Sequence, residues 1–528
     1  MRQKGRPNLR FISLAYMFGN DIVMGLPMSK QKRTANRFGL GVAALAVLVA
    51  GACVVEGKVD EGENDPLRDG TASSLPAAVA PSGYPGAPGL GDSFYPQLGN
   101  GGYDVLHYAI QLDVDPIPNT IQAQTTIIAA ATQDLSAFNL DLAGLTVESV
   151  LVNDNDAEFS RQDTELTITP DATLLQGEEF STKVTYSGSP MPLSDPGVPF
   201  SEIGWHNREG LIYTASEPSG SMSWFPSNNH PTDKATFEIQ ITVPSTFTAA
   251  ASGVLVNETQ SARRTTTTWQ MDDPMATYLT AVYVGDFERV ENRQADGLLI
   301  RDYVPREHFD VVVDALAETP QMIEYFEGIL GPYPYAVYGS VVMPFPLGYA
   351  LENQTLSLHA LDTIDPLIIA HEISHQWIGN SSTVDDWSEI WLHEGFATYL
   401  TSMYLAEHHG QDINEDMRRN YAFMSEPAAV APQQISQGQL FDASVYLRGA
   451  LTLHALRQFV GDDLFTTILR THYQQSINAN TNTAEFLAIV RRLANQEAAD
   501  LVEQWLNNAL MPPLPPPLTP PPNLNQSP

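Results

Sequence analysis

Residues 368–399, IIAHEISHQWIGNSSTVDDWSEIWLHEGFATY, constrain this chain more than any other stretch. Within them stands His371-Glu372-Ile373-Ser374-His375. On a helix, positions i and i+4 lie one turn apart on one face, so His371 and His375 can grip one metal ion. Glu372 sits beside the first histidine, where a carboxylate can take a proton from water that the metal activates. Glu394 lies further on, in a second helical pattern, and completes a two-histidine, one-carboxylate ligand set. That set leaves a fourth position open for water, as a catalytic zinc requires. In a chain of this composition an HExxH arises by chance only ~0.02 times. The competing reading is a helix with incidental surface histidines.

Charge and cysteine usage narrow the setting. The 528 residues carry 62 Asp+Glu against 27 Lys+Arg, a formal net charge of −35. Such an excess repels phosphates and argues against nucleic acid; it says little about substrate, because net charge commonly serves solubility. Cys53 is the chain's one cysteine, so no intrachain disulfide forms. Before it, a basic run (Lys30, Lys32, Arg33, Arg37), a short apolar stretch at 40–49 and Ala50-Gly51-Ala52 have the anatomy of an export signal over residues 1–53. Small residues ahead of a lone cysteine look like a bacterial lipobox, giving a cell-envelope lipoprotein anchored to the membrane through Cys53. Cleavage after Ala52 would instead release a soluble secreted protein. Residues 54–90, rich in Gly, Ala, Pro, Ser and acid, read as a disordered tether.

From 91 to 290, short β-type runs such as 108–114, 125–131, 235–243 and 278–284 are punctuated by Asp, Asn, Gly and Pro. The pattern predicts an antiparallel sheet or sandwich. Alone, this part reads as a binding or scaffolding module. One loop, with TASEP at 214–218, WFP at 224–226 and PTDKATF at 231–237, reads equally as a packed loop or a functional one. From 291 to 511 the pattern is mostly helical, beginning with 310–330, stopped by Gly331-Pro332. A strand is predicted at 339–343. The metal helix has Asp365 as N-cap, Pro366 at its first position and Gly379-Asn380 as its stop. Ser388 caps the next helix, which carries Glu394 towards Gly410. Phe396, Leu400 and Tyr404 are packing residues at helical spacing, and His408 and His409 suit a surface helix C-terminus. Further helices are predicted at 413–423, 445–460, 463–475, 483–495 and 498–510. Residues 512–528 form a proline-rich tail, read as extended and disordered.

HEISHQW followed by WLHEGFATY resembles the HExxH-x18-E signature of the gluzincin zinc aminopeptidases, the aminopeptidase N and leukotriene-A4-hydrolase family. ALEN at 350–353 is similar to that family's GxMEN motif. VYLRGAL at 445–451 resembles the segment with its catalytic tyrosine, and SEP…WFP…PTDKATF its N-terminal-domain loop. The resemblance implies a multidomain α+β fold, a β-sandwich or saddle domain followed by a thermolysin-like, mostly helical zinc-peptidase domain. It implies one Zn2+ per chain on His371, His375 and Glu394, and catalysis by Glu372 and Tyr446. Substrate contacts from Glu352, Glu217, Ala350 and Asn353 are also implied, with peptides bearing a free N-terminus as substrates. Without the resemblance, Tyr446 is an ordinary aromatic at a helix start.

The chain departs from that pattern in places. Tyr349 stands where the family has the first Gly of GxMEN, Leu351 replaces Met, and His393 replaces the usual Asn before the zinc glutamate. The stretch after residue 510 leaves no room for the large helical C-terminal domain of many relatives, which predicts a more open cleft. Two rival functions remain at this stage. A thermolysin-like endopeptidase would cleave N-acetylated peptides as well as free ones, and a silent binding protein on a peptidase scaffold would hold no catalytic metal.

Overall fold

A computed structural model describes residues 83–294, 297–425 and 430–515. The export segment with Cys53, the tether up to residue 82 and the tail from 516 lie outside the described residues. The sheet-rich part is built first in the chain. An eight-stranded sheet runs in the order Val254–Gln260, Arg264–Ala276, Lys234–Pro244, Tyr103–Asp115, Thr120–Ala131, Glu179–Gly188, Thr146–Val152 and Asn155–Asp156. Strict alternation explains these strands. In Lys234–Pro244 every second residue is buried, so Phe237, Ile239, Ile241 and Val243 share one face. Phe237 stacks on Tyr108 at 4.9 Å across the neighbouring strand. Each such side chain contributes about 1.5–3 kcal/mol on burial.

Two pairings depart from the antiparallel expectation: Lys234–Pro244 lies parallel to Tyr103–Asp115, and Tyr84–Pro85 parallel to Leu135–Asp141. The tether also ends sooner than its composition predicts. Tyr84–Pro85 pairs with Leu135–Asp141, and Gly86 N donates to Ala137 O at 2.8 Å, so residues 83–90 belong to the fold. A smaller five-stranded sheet contains the strands Leu211–Ala215 and Val282–Gly285.

A second five-stranded sheet underlies the helical part. Leu299–Pro305, Ser340–Met343 and Ser357–Ala360 run parallel, with Phe287–Arg293 antiparallel at the edge. The sheet of this part therefore opens at Phe287, slightly before the position where the sequence pattern turns helical. Nine α-helices follow among the described residues: α1 Phe309–Ala315, α2 Thr319–Leu330, α3 Pro366–Ser374, α4 Trp391–His409, α5 Ile413–Met424, α6 Gly449–Val460, α7 Asp462–Gln475, α8 Thr483–Leu493 and α9 Gln496–Asn507. The single helix predicted over 310–330 is two, separated by the 3-10 turn Leu316–Glu318 ahead of Pro320, whose ring removes an N–H. Beyond α9, Met511 and Leu514 pack on the core, so the tail stays attached to the fold through 514. No described helix is long and apolar enough to cross a membrane.

The two parts are fastened near the metal helix. Lys234 Nζ donates to the carbonyls of Asn380, Ser381 and Ala479 at 3.1, 2.8 and 3.1 Å. An ammonium has three N–H groups, and here each finds an acceptor.

Candidate metal and substrate site

Helix α3 starts as the sequence predicts, with the Asp365 carboxylate accepting from Leu367 N and Ile368 N and Pro366 in the first position. It ends earlier than the predicted stop, at Ser374, because the chain turns off at His375. His375 Nδ1 lies 3.1 Å from Ile378 O, and Gly379, at φ +131°, lets the loop leave the helix. A carbonyl only accepts, so Nδ1 carries the proton and Nε2 presents a lone pair. Asn380 is no helix stop; its amide donates to Glu352 O at 2.7 Å. Before α4, the cap is Asp386 rather than Ser388. Asp386 accepts from Ser388 N and Oγ and holds the short turn Trp387–Glu389.

Three donors converge. His375 Nε2 is 3.0 Å from His371 Nε2, and Glu394 Oε2 is 3.1 Å from His371 Nε2 and 3.5 Å from His375 Nε2. With its own proton on Nδ1, a neutral His375 meets these neighbours with a lone pair, which a shared cation would satisfy. Bonds of about 2.0–2.1 Å to a tetrahedral zinc place ligand atoms roughly 3.3 Å apart, so the observed spacings fit that ion. The surrounding charges agree. Burial disfavours ionisation of Glu394, yet His375 and His371 hold it well below the usual carboxylate range. Burial likewise disfavours a charged His375, but Glu394, Glu352 and Glu372 outweigh it and lift its pKa to about 10. Positive charge is what this nest asks for.

Two more carboxylates face the trio. One oxygen each from Glu217, Glu352 and Glu394 lie within 4.8 Å of one another. Glu217 is 7% exposed and Glu352 3%, and Oε1 of each has no hydrogen-bond partner in the protein. Burial, then neighbouring carboxylates, push Glu217 well above its ordinary pKa. Burial also raises Glu352 and Glu372.

Each acid is held by its backbone. Gln376 and Asn380, both just past the second histidine, donate to Glu352 O at 2.8 and 2.7 Å. The Glu217 loop is fixed by Asn229, which donates to Ser219 O and accepts from Ser221 and Thr277 hydroxyls. Asp195 completes the cradle, accepting from Tyr95 and Ser219. The WFP part of that loop is packing, with Trp224 and Phe225 fully buried at 4.4 Å from one another. So the loop is packed at one end and places Glu217 near Glu352 and Glu394 at the other.

Asn353 turns its amide onto Tyr283 Oη at 2.7 Å, which makes it an anchor of the loop from the β-rich part. Ala350 is half-buried beside Leu351, whose N–H and C=O pair with Leu358. Tyr349, in the place of a glycine, hydrogen-bonds Tyr213 and Ser201 and so fastens this segment to the small β sheet. His393 accepts from Val384 N at 3.0 Å through Nε2, and burial drops its pKa to about 3; it anchors a strand as a neutral imidazole. His408 meets Gln321 and His409 meets Glu318, both on the outer surface. Asn229 and Asp195 carried no legible signal, and Gln376 and Lys234 stood inside quoted motifs without a role of their own, since each acts through a contact that only the fold brings together.

Tyr446 lies on a single π turn, Ser444–Arg448, ahead of α6, a distortion frequent at functional sites. Its ring lies 6.1 Å from His371 with 23° between planes. Burial, then Glu394, Glu217 and Glu352, hold its phenol well above its ordinary pKa, so it remains a donor. Its position depends on a bare backbone contact. A Cβ added to Gly449 would stand 2.7 Å from Gly395 Cα, and one added to Gly395 would stand 2.8 Å from Gly449 Cα. Gly449→Ala gains about 1 kcal/mol in helix propensity but overpacks backbone that cannot swing aside, at about 1–3 kcal/mol. We expect a net loss of up to about 2 kcal/mol in urea unfolding, together with a lower kcat at unchanged zinc content, as Tyr446 moves off the site.

The profile of the Peptidase M1 N-terminal domain matches residues 105–279, and that of the Peptidase family M1 domain matches 314–505. Leukotriene A-4 hydrolase of Xenopus laevis is 25% identical over 457 residues, 78% of this chain and 73% of that protein. Human aminopeptidase N is 29% identical over 320 residues, covering 52% of this chain and 32% of its own length. The crystal structure of an M1 zinc metallopeptidase from Deinococcus radiodurans, in a glutamate-to-alanine mutant bound to a Tyr-Ser-Ala substrate, is 33% identical. It superposes with a TM-score of 0.75 over 81% of this chain and 100% of its own. The β-rich first part, the helical second part and the converging zinc donors have one common explanation: the chain belongs to the M1 peptidase family of zinc metallopeptidases.

Proposed function

We propose that this chain is a zinc aminopeptidase, removing N-terminal residues from peptides outside the cytoplasm while anchored through Cys53. What carries the reading is the pair of buried, unpartnered oxygens on Glu217 and Glu352 beside the metal donors. An α-ammonium satisfies both, whereas an internal peptide bond leaves them uncompensated in a dry pocket. The tripeptide bound by the Deinococcus radiodurans enzyme is a ligand of the same kind.

His371, His375 and Glu394 would hold the zinc, which supplies Lewis-acid polarisation of the carbonyl and activation of water. Glu217 and Glu352 fix the free amine, which sets the first peptide bond at a constant distance from the metal donors. Glu372 takes the proton of the attacking water and returns it to the leaving amine. Tyr446 donates to the oxygen on which charge develops.

The test is a pair of substrates, an aminoacyl-arylamide and its N-acetylated twin, with zinc stripped by chelator and restored. Two buried carboxylates left unpaired cost about 3–5 kcal/mol, so kcat/KM for the acetylated twin should fall by about 10²-fold to 10⁴-fold. Equal cleavage of the two would point to an endopeptidase. Turnover that persists without metal would remove the zinc mechanism.

A further inference from the structure

We infer that Glu217, Glu352 and Glu394 also form a second, weaker site for a divalent cation, which shuts the enzyme by taking the place of the peptide's ammonium. The inference rests on the reading of Glu217 and Glu352 as the ammonium site, and adds regulation to it. Three observations support it. First, one oxygen from each carboxylate lies within 4.8 Å of the others, close enough for all three to bind one ion. Second, Oε1 of Glu217 and Oε1 of Glu352 are buried with no partner in the protein, so both are free to ligate.

The third is charge. Glu217, Glu352, Glu372 and Glu394 are four buried carboxyls, three of them within 4.8 Å of one another. One zinc ion offsets only half of their formal charge. A peptide ammonium offsets a quarter more, and a second divalent ion offsets the whole. Glu394 can serve both ions, because a carboxylate has two oxygens and Oε2 is the one turned to the histidines. The second donor set is all oxygen, which suits a hard ion such as Mn2+; the two imidazoles keep zinc in the first site. The two sites are thereby sorted by chemistry. Because the cation and the ammonium need the same two carboxylates, occupation is exclusive.

The probe is Mn2+ titrated into the zinc-loaded protein, with unbound Mn2+ read from its electron paramagnetic resonance signal and both metals counted after dialysis. The expected result is one Mn2+ per chain with zinc retained, displaced by L-tryptophan as a free-ammonium competitor. Apparent KM for an aminoacyl-arylamide rises in proportion to free Mn2+ while kcat holds. Glu217→Gln and Glu352→Gln each weaken Mn2+ by at least about tenfold yet keep the zinc, which also reports that they fold. His409→Ala, which removes the surface imidazole beside Glu318, leaves both metals bound as before.

Mn2+ that fails to bind at millimolar concentration, binds only by expelling zinc, or binds equally to both glutamine variants overturns the inference. Binding is counted without turnover. If N-acetylated peptides prove to be good substrates while Mn2+ still binds, the aminopeptidase reading fails and the second site stands.

Discussion

Glu372→Gln is expected to leave the protein with its full complement of zinc and almost no turnover. The substitution is isosteric in a buried position, and the converging donors His371, His375 and Glu394 are untouched, so metal content should not change. What disappears is the base. In the native protein, burial and then Glu352 and Glu394 lift the Glu372 carboxyl well above its ordinary pKa, with His375 pulling the other way. A carboxylate so placed holds a proton more readily than one in water, which suits a group that must accept a proton and later return it. An amide does neither. General acid–base transfer is worth about 10²-fold to 10⁴-fold, and the proposed mechanism uses Glu372 for it twice, so kcat should fall by at least about 10³-fold. Zinc analysis with single-turnover kinetics checks it; a zinc-loaded variant within tenfold of wild type would sink the assignment.

Tyr446→Phe should give the second largest effect, and a different signature. The hydroxyl is held protonated by burial, so what the variant lacks is one hydrogen-bond donor. That donor matters most once charge has grown on the carbonyl oxygen, so binding of the ground state changes little. Removing one such donor costs roughly 10²-fold to 10³-fold in kcat. KM should stay within about twofold, since Glu217 and Glu352 still hold the amine. A rise in KM with kcat intact would make Tyr446 a wall of the binding pocket. The comparison with Gly449→Ala is informative, because that variant keeps the hydroxyl and displaces it.

What could be read in advance follows from how local each signal is. The metal helix announces itself because its cap, its proline and its two histidines all lie within Asp365–His375, where period and spacing are sufficient. Alternating burial made the long strands legible for the same reason, as in Lys234–Pro244. The parallel pairing of that strand with Tyr103–Asp115 was hidden, since nothing in a strand's own residues states the direction of a neighbour far away in sequence. The early end of α3 was hidden too; it depends on the His375 ring reaching Ile378 O, a contact that periodicity does not encode. At the site, Glu217, Glu352 and Tyr446 were reachable only through resemblance to a family. Their supports, Asn229 and Asp195 for one acid and Gln376 and Asn380 for the other, became visible only in three dimensions. The glycine contact between Gly395 and Gly449 belongs with them, for two helices had to be crossed before either residue had a reason.

The Lys234 side chain, with its three carbonyl partners, has a consequence for the spacing of the site. One of those carbonyls belongs to Asn380, whose side chain also holds Glu352 O. Parting the β-rich part from the helical part would break all three hydrogen bonds together, each worth about 0.5–1.5 kcal/mol net of water. The distance between Glu217, carried by the first part, and Glu352, carried by the second, is thereby tied to how the two parts pack.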